Sequence, residues 1–262
     1  MGKSKKDSKK STKTFDSSDE EMDTTITATI EAATDEGIEV SSRDKVHVAT
    51  QPIPDTVSEP VKKALTKMGI MSLFEVQFKT LDAAMNGDDM IIQARTGSGK
   101  TLGFALPTVE RLVQSEIKIR ANQPRVLAMA PTRELAGQIC KVFNDLCENL
   151  PYQAIAIYGG SSYEEQRRQL NSGKAAIVVG TPGRLKDLAD GGSLDLSKVK
   201  VCILDEVDRM LDMGFSEIVE EILGMCPYPE KIEAECKKPQ TLFFSATVRS
   251  KMFYRLPQFC DF

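Results

Sequence analysis

Residues 90–101 read Met-Ile-Ile-Gln-Ala-Arg-Thr-Gly-Ser-Gly-Lys-Thr, an apolar strand running into a glycine-rich turn that closes on Lys-Thr. Such a turn is built to hold phosphate. Gly97 and Gly99 let the backbone take positive φ and approach an anion closely, so several N–H groups converge on one phosphate. The apolar run from Leu102 to Leu112 reads as a helix whose N-terminus adds about half a positive charge at the same place. Lys100 can then reach β- and γ-phosphates, and the Thr101 hydroxyl can ligate Mg²⁺. The first glycine of the general G-x-x-x-x-G-K-[ST] pattern is Ala94 here, with Arg95, Thr96 and Ser98 filling the variable positions. The other reading is a surface turn that contains Gly-Lys-Thr; the strand before it and the helix after it favour the cradle.

A second cluster of chemistry lies about a hundred residues on. Val201-Cys-Ile-Leu-Asp-Glu-Val-Asp208 places Asp205 and Glu206 just past a buried strand. Asp205 can hold a metal ion directly or through water, and Glu206 can orient or deprotonate a water that attacks a γ-phosphate. Three more polar runs follow strand-like segments: Pro131-Thr-Arg-Glu-Leu135, Gly159-Gly160 and Thr181-Pro-Gly-Arg184. Each can offer backbone N–H groups at a helix N-terminus together with a Thr or Arg, a surface suited to sugar-phosphate. Ser245-Ala-Thr247 closes the last strand.

These motifs need a frame that brings strand ends together. From about Pro54 onward, short apolar runs alternate with helical ones, the pattern of a parallel sheet covered by helices on both faces. The predicted strands are Met90–Gln93, Arg125–Ala130, Ala154–Tyr158, Ala175–Gly180, Val199–Leu204 and Thr241–Phe244. Each is nearly continuous in apolar residues, as burial on both faces requires. Between them Leu135–Leu150 reads as a helix, with Leu135, Ile139, Val142, Phe143 and Leu146 on one face. In such sheets ligands bind beyond the carboxyl ends of the strands, and every motif above sits at one.

The whole chain limits the alternatives. Its 262 residues carry 34 basic and 38 acidic side chains, a net charge of −4, so any nucleic-acid binding must use local patches. Cys140, Cys147, Cys202, Cys226, Cys236 and Cys260 form no C-x-x-C pair, and His47 is the single histidine, which argues against a Cys/His metal site. Most of them fall in apolar, element-like surroundings, which suits reduced thiols in the cytosol or nucleus. No apolar run is long enough for a membrane span, and the basic start, Met1–Lys13, lacks the apolar stretch of a signal peptide. Residues 1–50 are rich in Lys, Ser, Thr, Asp and Glu and read as a disordered tail. Its lysines 3, 5, 6, 9, 10 and 13 suit nuclear import, RNA contact or simple solubility. Ser17 and Ser18, ahead of Asp19, Glu20 and Glu21, read as candidate phosphorylation sites.

The order and spacing of these motifs resemble the DEAD-box RNA helicases of superfamily 2. Asp-Glu-Val-Asp in place of Asp-Glu-Ala-Asp is most similar to the nucleolar RNA helicase II (Gu) branch. The resemblance covers roughly residues 54–247 and implies a RecA-like α/β lobe that binds ATP and Mg²⁺. It implies that Gln77, at the end of Gly69-Ile-Met-Ser-Leu-Phe-Glu-Val-Gln77, reads adenine through its amide. It also makes Ala94 ordinary, since alanine is usual there in that family. Thr132, Arg133, Gly160, Thr181 and Arg184 would line an RNA track, with contacts mostly independent of sequence. Ser245 and Thr247 would link the nucleotide site to unwinding, partly by bonding to the Asp205–Asp208 loop.

Two departures qualify these expectations. No aromatic counterpart of the family's adenine-stacking residue lies between Val46 and Val61. Residues 248–262 do not read as the start of another α/β domain, so the family's second lobe, with its arginine finger, is expected to be missing from this chain. The resemblance therefore leaves two expectations: an RNA helicase represented by its first lobe, or a one-lobe module binding nucleotide, RNA or ribonucleoprotein partners without productive turnover. Neither an Asn-Lys-x-Asp guanine reader nor a transporter-ATPase signature is present. The implied location is the nucleus or nucleolus, with the cytoplasm as the alternative.

Overall fold

The computed structural model describes residues 50–94, 97–115, 118–227 and 238–247. The tail with Ser17 and Ser18, the cradle residues Arg95 and Thr96, and residues 248–262 lie outside the described residues. The chain runs β1 (Thr50–Pro52), α1 (Glu59–Lys67), β2 (Ser72–Phe74), α2 (Glu75–Asn86), β3 (Met90–Gln93), α3 (Lys100–Ser115), β4 (Val126–Met129) and α4 (Arg133–Leu146). It continues through β5 (Gln153–Ile157), α5 (Tyr163–Leu170), β6 (Ala175–Gly180), α6 (Pro182–Asp190), β7 (Val201–Leu204), α7 (Val207–Asp212), α8 (Ser216–Gly224) and β8 (Gln240–Ser245).

Six strands form a parallel sheet in the order β3-β8-β7-β4-β6-β5. The period-2 geometry of a strand divides each one between two cores. Val126, Ala128, Ile177, Val179, Val201, Ile203, Leu242 and Phe244 face one side, with α1 to α4. Leu127, Met129, Val178, Cys202, Leu204 and Phe243 face the other, with α5 to α8. Helices therefore cover both faces, as the continuous apolar runs predict. Phe104 of α3 anchors the first core, edge-on to Phe244 at 5.0 Å and tilted against Phe143 at 6.1 Å.

Three local features are invisible to periodicity alone. First, β1 and β2 pair antiparallel, Thr50 with Phe74 and Pro52 with Ser72, so ordered pairing starts upstream of Pro54. Second, Pro107 lies inside α3 and has no N–H for the Gly103 carbonyl one turn back. The Thr80 hydroxyl of α2 lies 3.0 Å from that carbonyl and 2.8 Å from its own Val76 carbonyl, so its single proton serves both. Gly103 admits this close approach, which ties the helix carrying Gln77 to the one carrying Lys100.

Third, β5 ends the described sheet with one side unpaired. The Asn144 amide of α4 supplies the missing partners: the Ala154 N–H donates to Asn144 Oδ1 and Asn144 Nδ2 donates to the Ala154 carbonyl, both at 2.9 Å. The side chain thereby imitates a neighbouring strand and blocks pairing with another chain. Asn144→Leu strands two backbone groups of the buried Ala154. It is expected to destabilise the fold by about 2 kcal/mol, read as a lowered midpoint in urea unfolding.

Candidate nucleotide and nucleic-acid site

Because all six strands are parallel, their carboxyl ends lie along one rim. Across that rim stand, in sheet order, the cradle after β3, Ser245–Thr247 after β8, Asp205–Asp208 after β7, Thr132–Arg133 after β4, Thr181–Arg184 after β6 and Gly159–Gly160 after β5. Backbone bonds extend the ladder into these turns. Ala94 N–H donates to the Ser245 carbonyl, Asp205 N–H to Met129, Ala130 N–H to Gly180 and Thr181 N–H to Ile157, each at 3.0 Å. The ladder therefore continues into the residues that open several of these turns.

At the β3 end, Gly97 and Gly99 take φ of 82° and 80°, the left-handed region in which glycine is unstrained. A Cβ at Gly99 would also overlap Gln77 Nε2 and crowd the Phe74 ring. Lys100 is the first residue of α3, and Thr101 follows it on the same first turn. Lys100 is buried, yet its Nζ has no hydrogen-bond partner, and neither has Ser98 Oγ. A buried unpaired ammonium is costly and calls for an anion. These residues fit a nucleoside triphosphate with its divalent cation.

Gln77 is 4% exposed and bridges two segments. Its Oε1 accepts from the Phe74 N–H at 2.9 Å, and its Nε2 donates to the Gly99 carbonyl at 3.1 Å. One amide proton and one lone pair remain for a base. The structure thus places Gln77 against the cradle, where it also holds Gly99 in position.

At the β7 end, Asp205 is buried, and burial pushes its carboxyl up to about 6 against the opposing pull of the Lys100 ammonium. Asp205 Oδ1 accepts the Glu206 N–H at 2.9 Å. Glu206 itself adopts φ 51°, ψ 50°, a left-handed conformation rare outside glycine, and caps α7. Strain of this kind collects at functional sites. Arg209 Nη1 donates to Glu206 Oε2 at 3.1 Å and fixes the carboxylate that the sequence marks as the base.

Asp208 turns towards β8. Its Oδ2 accepts from the Thr247 N–H at 3.0 Å and from the Thr247 hydroxyl at 2.7 Å, while Ser245 Oγ donates to the Thr247 carbonyl at 2.7 Å. Burial works against ionisation of Asp208, but the Thr247 and Ser245 side chains outweigh it and hold the carboxyl below its ordinary value. The expected bond between the Ser-Ala-Thr run and the Asp205–Asp208 loop is thus present as geometry. Gln93 adds a further tie, Nε2 to the Ala246 carbonyl at 3.3 Å.

The other half of the rim carries the remaining residues. Thr132 caps α4, its hydroxyl accepting the Leu135 N–H at 3.2 Å. Thr181 precedes α6 as its N-cap, with Pro182 in the first turn, and leaves its side chain outside the cap. Arg133 Nη1 donates to the Gly159 carbonyl at 3.4 Å, and the left-handed Gly160 (φ 83°) leaves room for that guanidinium. Arg184 Nη1 donates to the Ser161 carbonyl at 3.1 Å and to Gln166 Oε1 at 3.0 Å. Both arginines therefore brace the turn after β5. Gln166, Thr80 and Arg209 join the site without having been marked by any motif, and Phe74 joins it from inside the Gly69–Gln77 run without having been singled out. The one legible signal among them is a glutamine on the buried face of α5.

Residues 74–254 match the family model described as DEAD/DEAH box helicase. The ATP-dependent RNA helicase DDX50 of Homo sapiens is 42% identical over 246 residues, 94% of this chain and 30% of that protein. The Mus musculus protein of the same name is 47% identical over 193 residues, 73% of this chain and 25% of that one. Nucleolar RNA helicase 2 of Rattus norvegicus is 47% identical over 192 residues, 73% of this chain and 24% of the relative. The chain thus spans about a quarter to three tenths of the length of such relatives. Among solved structures, a DEAD box protein from the hyperthermophile Methanococcus jannaschii superposes with a TM-score of 0.69 at 33% identity, covering 81% of this chain and 54% of that one. With the family model spanning more than half of its residues and the same parallel sheet beneath its motifs, the chain belongs to the DEAD/DEAH box helicase family.

Proposed function

We propose that this chain forms the ATP-binding first lobe of an ATP-dependent RNA helicase, holding nucleotide at the β3, β8 and β7 ends and RNA backbone at the β4, β6 and β5 ends. The observation that carries this reading is the unpaired, buried Lys100 ammonium coupled electrostatically to a buried Asp205 on a neighbouring part of the same rim. The cradle is then a P-loop of the Walker A type. Lys100 and the backbone N–H groups of residues 97–101 would bind the β- and γ-phosphates, while Thr101 and Asp205 would hold Mg²⁺. Bound ATP–Mg²⁺ supplies the scissile anhydride and the metal charge that stabilises its transfer. Glu206, steadied by Arg209, orients and deprotonates the attacking water. Gln77 presents its remaining amide groups to adenine.

RNA contact is assigned to Thr132, Arg133, Gly160, Thr181 and Arg184, through sugar-phosphate rather than bases. Such binding is expected to weaken with salt by about 0.7 powers of ten per tenfold increase in salt for each phosphate neutralised on a single strand. The rim leaves no arginine evidently poised for phosphoryl transfer among its described residues: Arg133 and Arg184 brace the β5 turn and Arg209 holds Glu206. The 262-residue chain by itself should therefore bind nucleotide and hydrolyse it slowly, a partner lobe supplying the missing charge. The nucleolar naming of its relatives supports a nuclear, specifically nucleolar, location. No described helix is long and apolar enough to cross a membrane.

The test is ATP hydrolysis with and without saturating single-stranded RNA, in this chain and in a version extended by a second helicase lobe. RNA-stimulated turnover in the extended version, with weak turnover here, is the expected result. Hydrolysis that ignores RNA in both would refute it.

A further inference from the structure

The helix α5 reads Tyr-Glu-Glu-Gln-Arg-Arg-Gln-Leu, and Gln166 and Leu170, one turn apart, are its buried residues. A glutamine 3% exposed at a core-facing helix position is unfavourable unless its amide is satisfied. Here it is satisfied at both ends. Gln166 Nε2 donates to the Tyr158 carbonyl, where β5 ends, at 2.9 Å, and its Oε1 accepts from Arg184 Nη1 at 3.0 Å. The same Nη1 donates to the Ser161 carbonyl at 3.1 Å, and the guanidinium lies 5.9 Å from the Tyr163 ring centre.

We infer that Gln166 is a positioning residue of the RNA face: it links α5, the β5 end and Arg184 of α6, and so fixes the conformation of the Gly159–Ser162 turn. This rests on the reading of that rim as an RNA surface. Two arginines from different strand ends, Arg133 and Arg184, cover carbonyls of one turn, Gly159 and Ser161. With these two carbonyls taken up by arginines, the turn's backbone N–H groups and the adjoining positive charge suit a phosphate backbone. The Arg133 contact is long, at 3.4 Å, and exposed. The Arg184 contact, by contrast, is backed by a buried amide that accepts from the same nitrogen and grips the strand end behind it. Leucine or methionine would fill this core position without either bond, leaving Arg184 without its buried partner.

The test uses the full 262-residue chain, a fluorescein-labelled oligouridylate and a fluorescent ADP analogue. Gln166→Leu is expected to weaken oligouridylate binding about tenfold at low salt, to leave ADP-analogue affinity within twofold, and to accelerate amide exchange in residues 158–163. Gln166→Glu keeps an acceptor for Arg184 but loses the donor to Tyr158, and should recover part of the RNA affinity; it also serves if the leucine variant fails to fold. Unchanged exchange and unchanged RNA affinity in a folded variant would overturn the inference, as would an equal loss for both ligands, which marks general unfolding. A wild-type chain that binds no oligouridylate, while the variants still accelerate exchange in 158–163, would overturn the RNA reading and leave the bracing role standing.

Discussion

Lys100→Ala is expected to abolish nucleotide binding at micromolar concentrations while leaving the chain folded. Removing one partner of a buried charge pair costs about 3–5 kcal/mol, because the remaining charge is left in a site that water cannot reach. Applied to the phosphate contact, that corresponds to about a 10²- to 10⁴-fold loss of affinity. A second signature separates this from simple damage. The Lys100 ammonium is buried without a hydrogen-bond partner and, against the upward push of burial, pulls the carboxyl of the buried Asp205 down. Lys100→Met removes the cation that draws the buried Asp205 towards ionisation, so Asp205 should titrate higher in the variant while nucleotide binding disappears, a change that unfolding would not give. Glu206→Gln should behave differently. It retains binding, since Glu206 lies past the phosphate cradle, and lowers hydrolysis in a two-lobed version by about 10²- to 10⁴-fold, the usual range for a general base. Titration with a fluorescent nucleotide and single-turnover hydrolysis distinguish the two. Unimpaired binding by the Lys100 variants would remove the cradle from the account.

The sheet was legible because strands buried on both faces leave little choice of residue. Met90–Gln93 and Ala175–Gly180 form over the limits that their apolar runs predict, and Val126–Met129 falls within the predicted Arg125–Ala130. Helix ends were less exact: α4 begins at Arg133 rather than Leu135, because Thr132 caps it and polar first-turn residues carry no apolar period. It stops at Leu146, ahead of the predicted Leu150. The short β1–β2 pair escaped because three residues establish no alternation, and its stability comes from pairing over a distance in sequence. Within the site, glycines and charged residues announced themselves by type and spacing. What sequence left hidden is the division of labour among them. Arg184 resembles an outward-facing cation by motif, yet its guanidinium bonds to Ser161 and Gln166; nothing local to Thr181–Arg184 encodes that, since both partners belong to another strand–helix unit. Thr80 was equally silent, its relevance arising only because Pro107 frees a carbonyl on the adjacent helix.

Thr247→Ala in a two-lobed version is expected to reduce RNA unwinding at least tenfold while nucleotide affinity changes less than threefold. Thr247 touches neither the cradle nor Lys100 through any bond described above; its N–H and hydroxyl both meet Asp208 Oδ2. The hydroxyl bond to an ionised carboxylate is worth about 1.5–3 kcal/mol, or about ten- to a hundredfold in any equilibrium it biases. Asp208 remains ionised across the working range. Its folded value is depressed, so the stability it contributes is fully present above the unfolded carboxyl value near 3.9 and is lost only as pH falls through the lower folded value. A pH-driven release of this contact is therefore not expected near neutrality. On the proposed function the contact is a coupling element: β8 ends at Ser245 beside β3 and its cradle, while Asp208 lies in the first turn of α7 just past Asp205 and Glu206. By linkage, a tie that differs between nucleotide states must change RNA affinity by the factor with which RNA changes nucleotide affinity. Asp208→Ala, which removes both bonds, should therefore flatten the dependence of RNA affinity on ATP-analogue concentration more than Thr247→Ala does. The two variants should not add in a double mutant, because they break one contact. Additive losses would show that Thr247 acts through another route, and an undiminished nucleotide dependence in Asp208→Ala would show that coupling does not pass between β7 and β8.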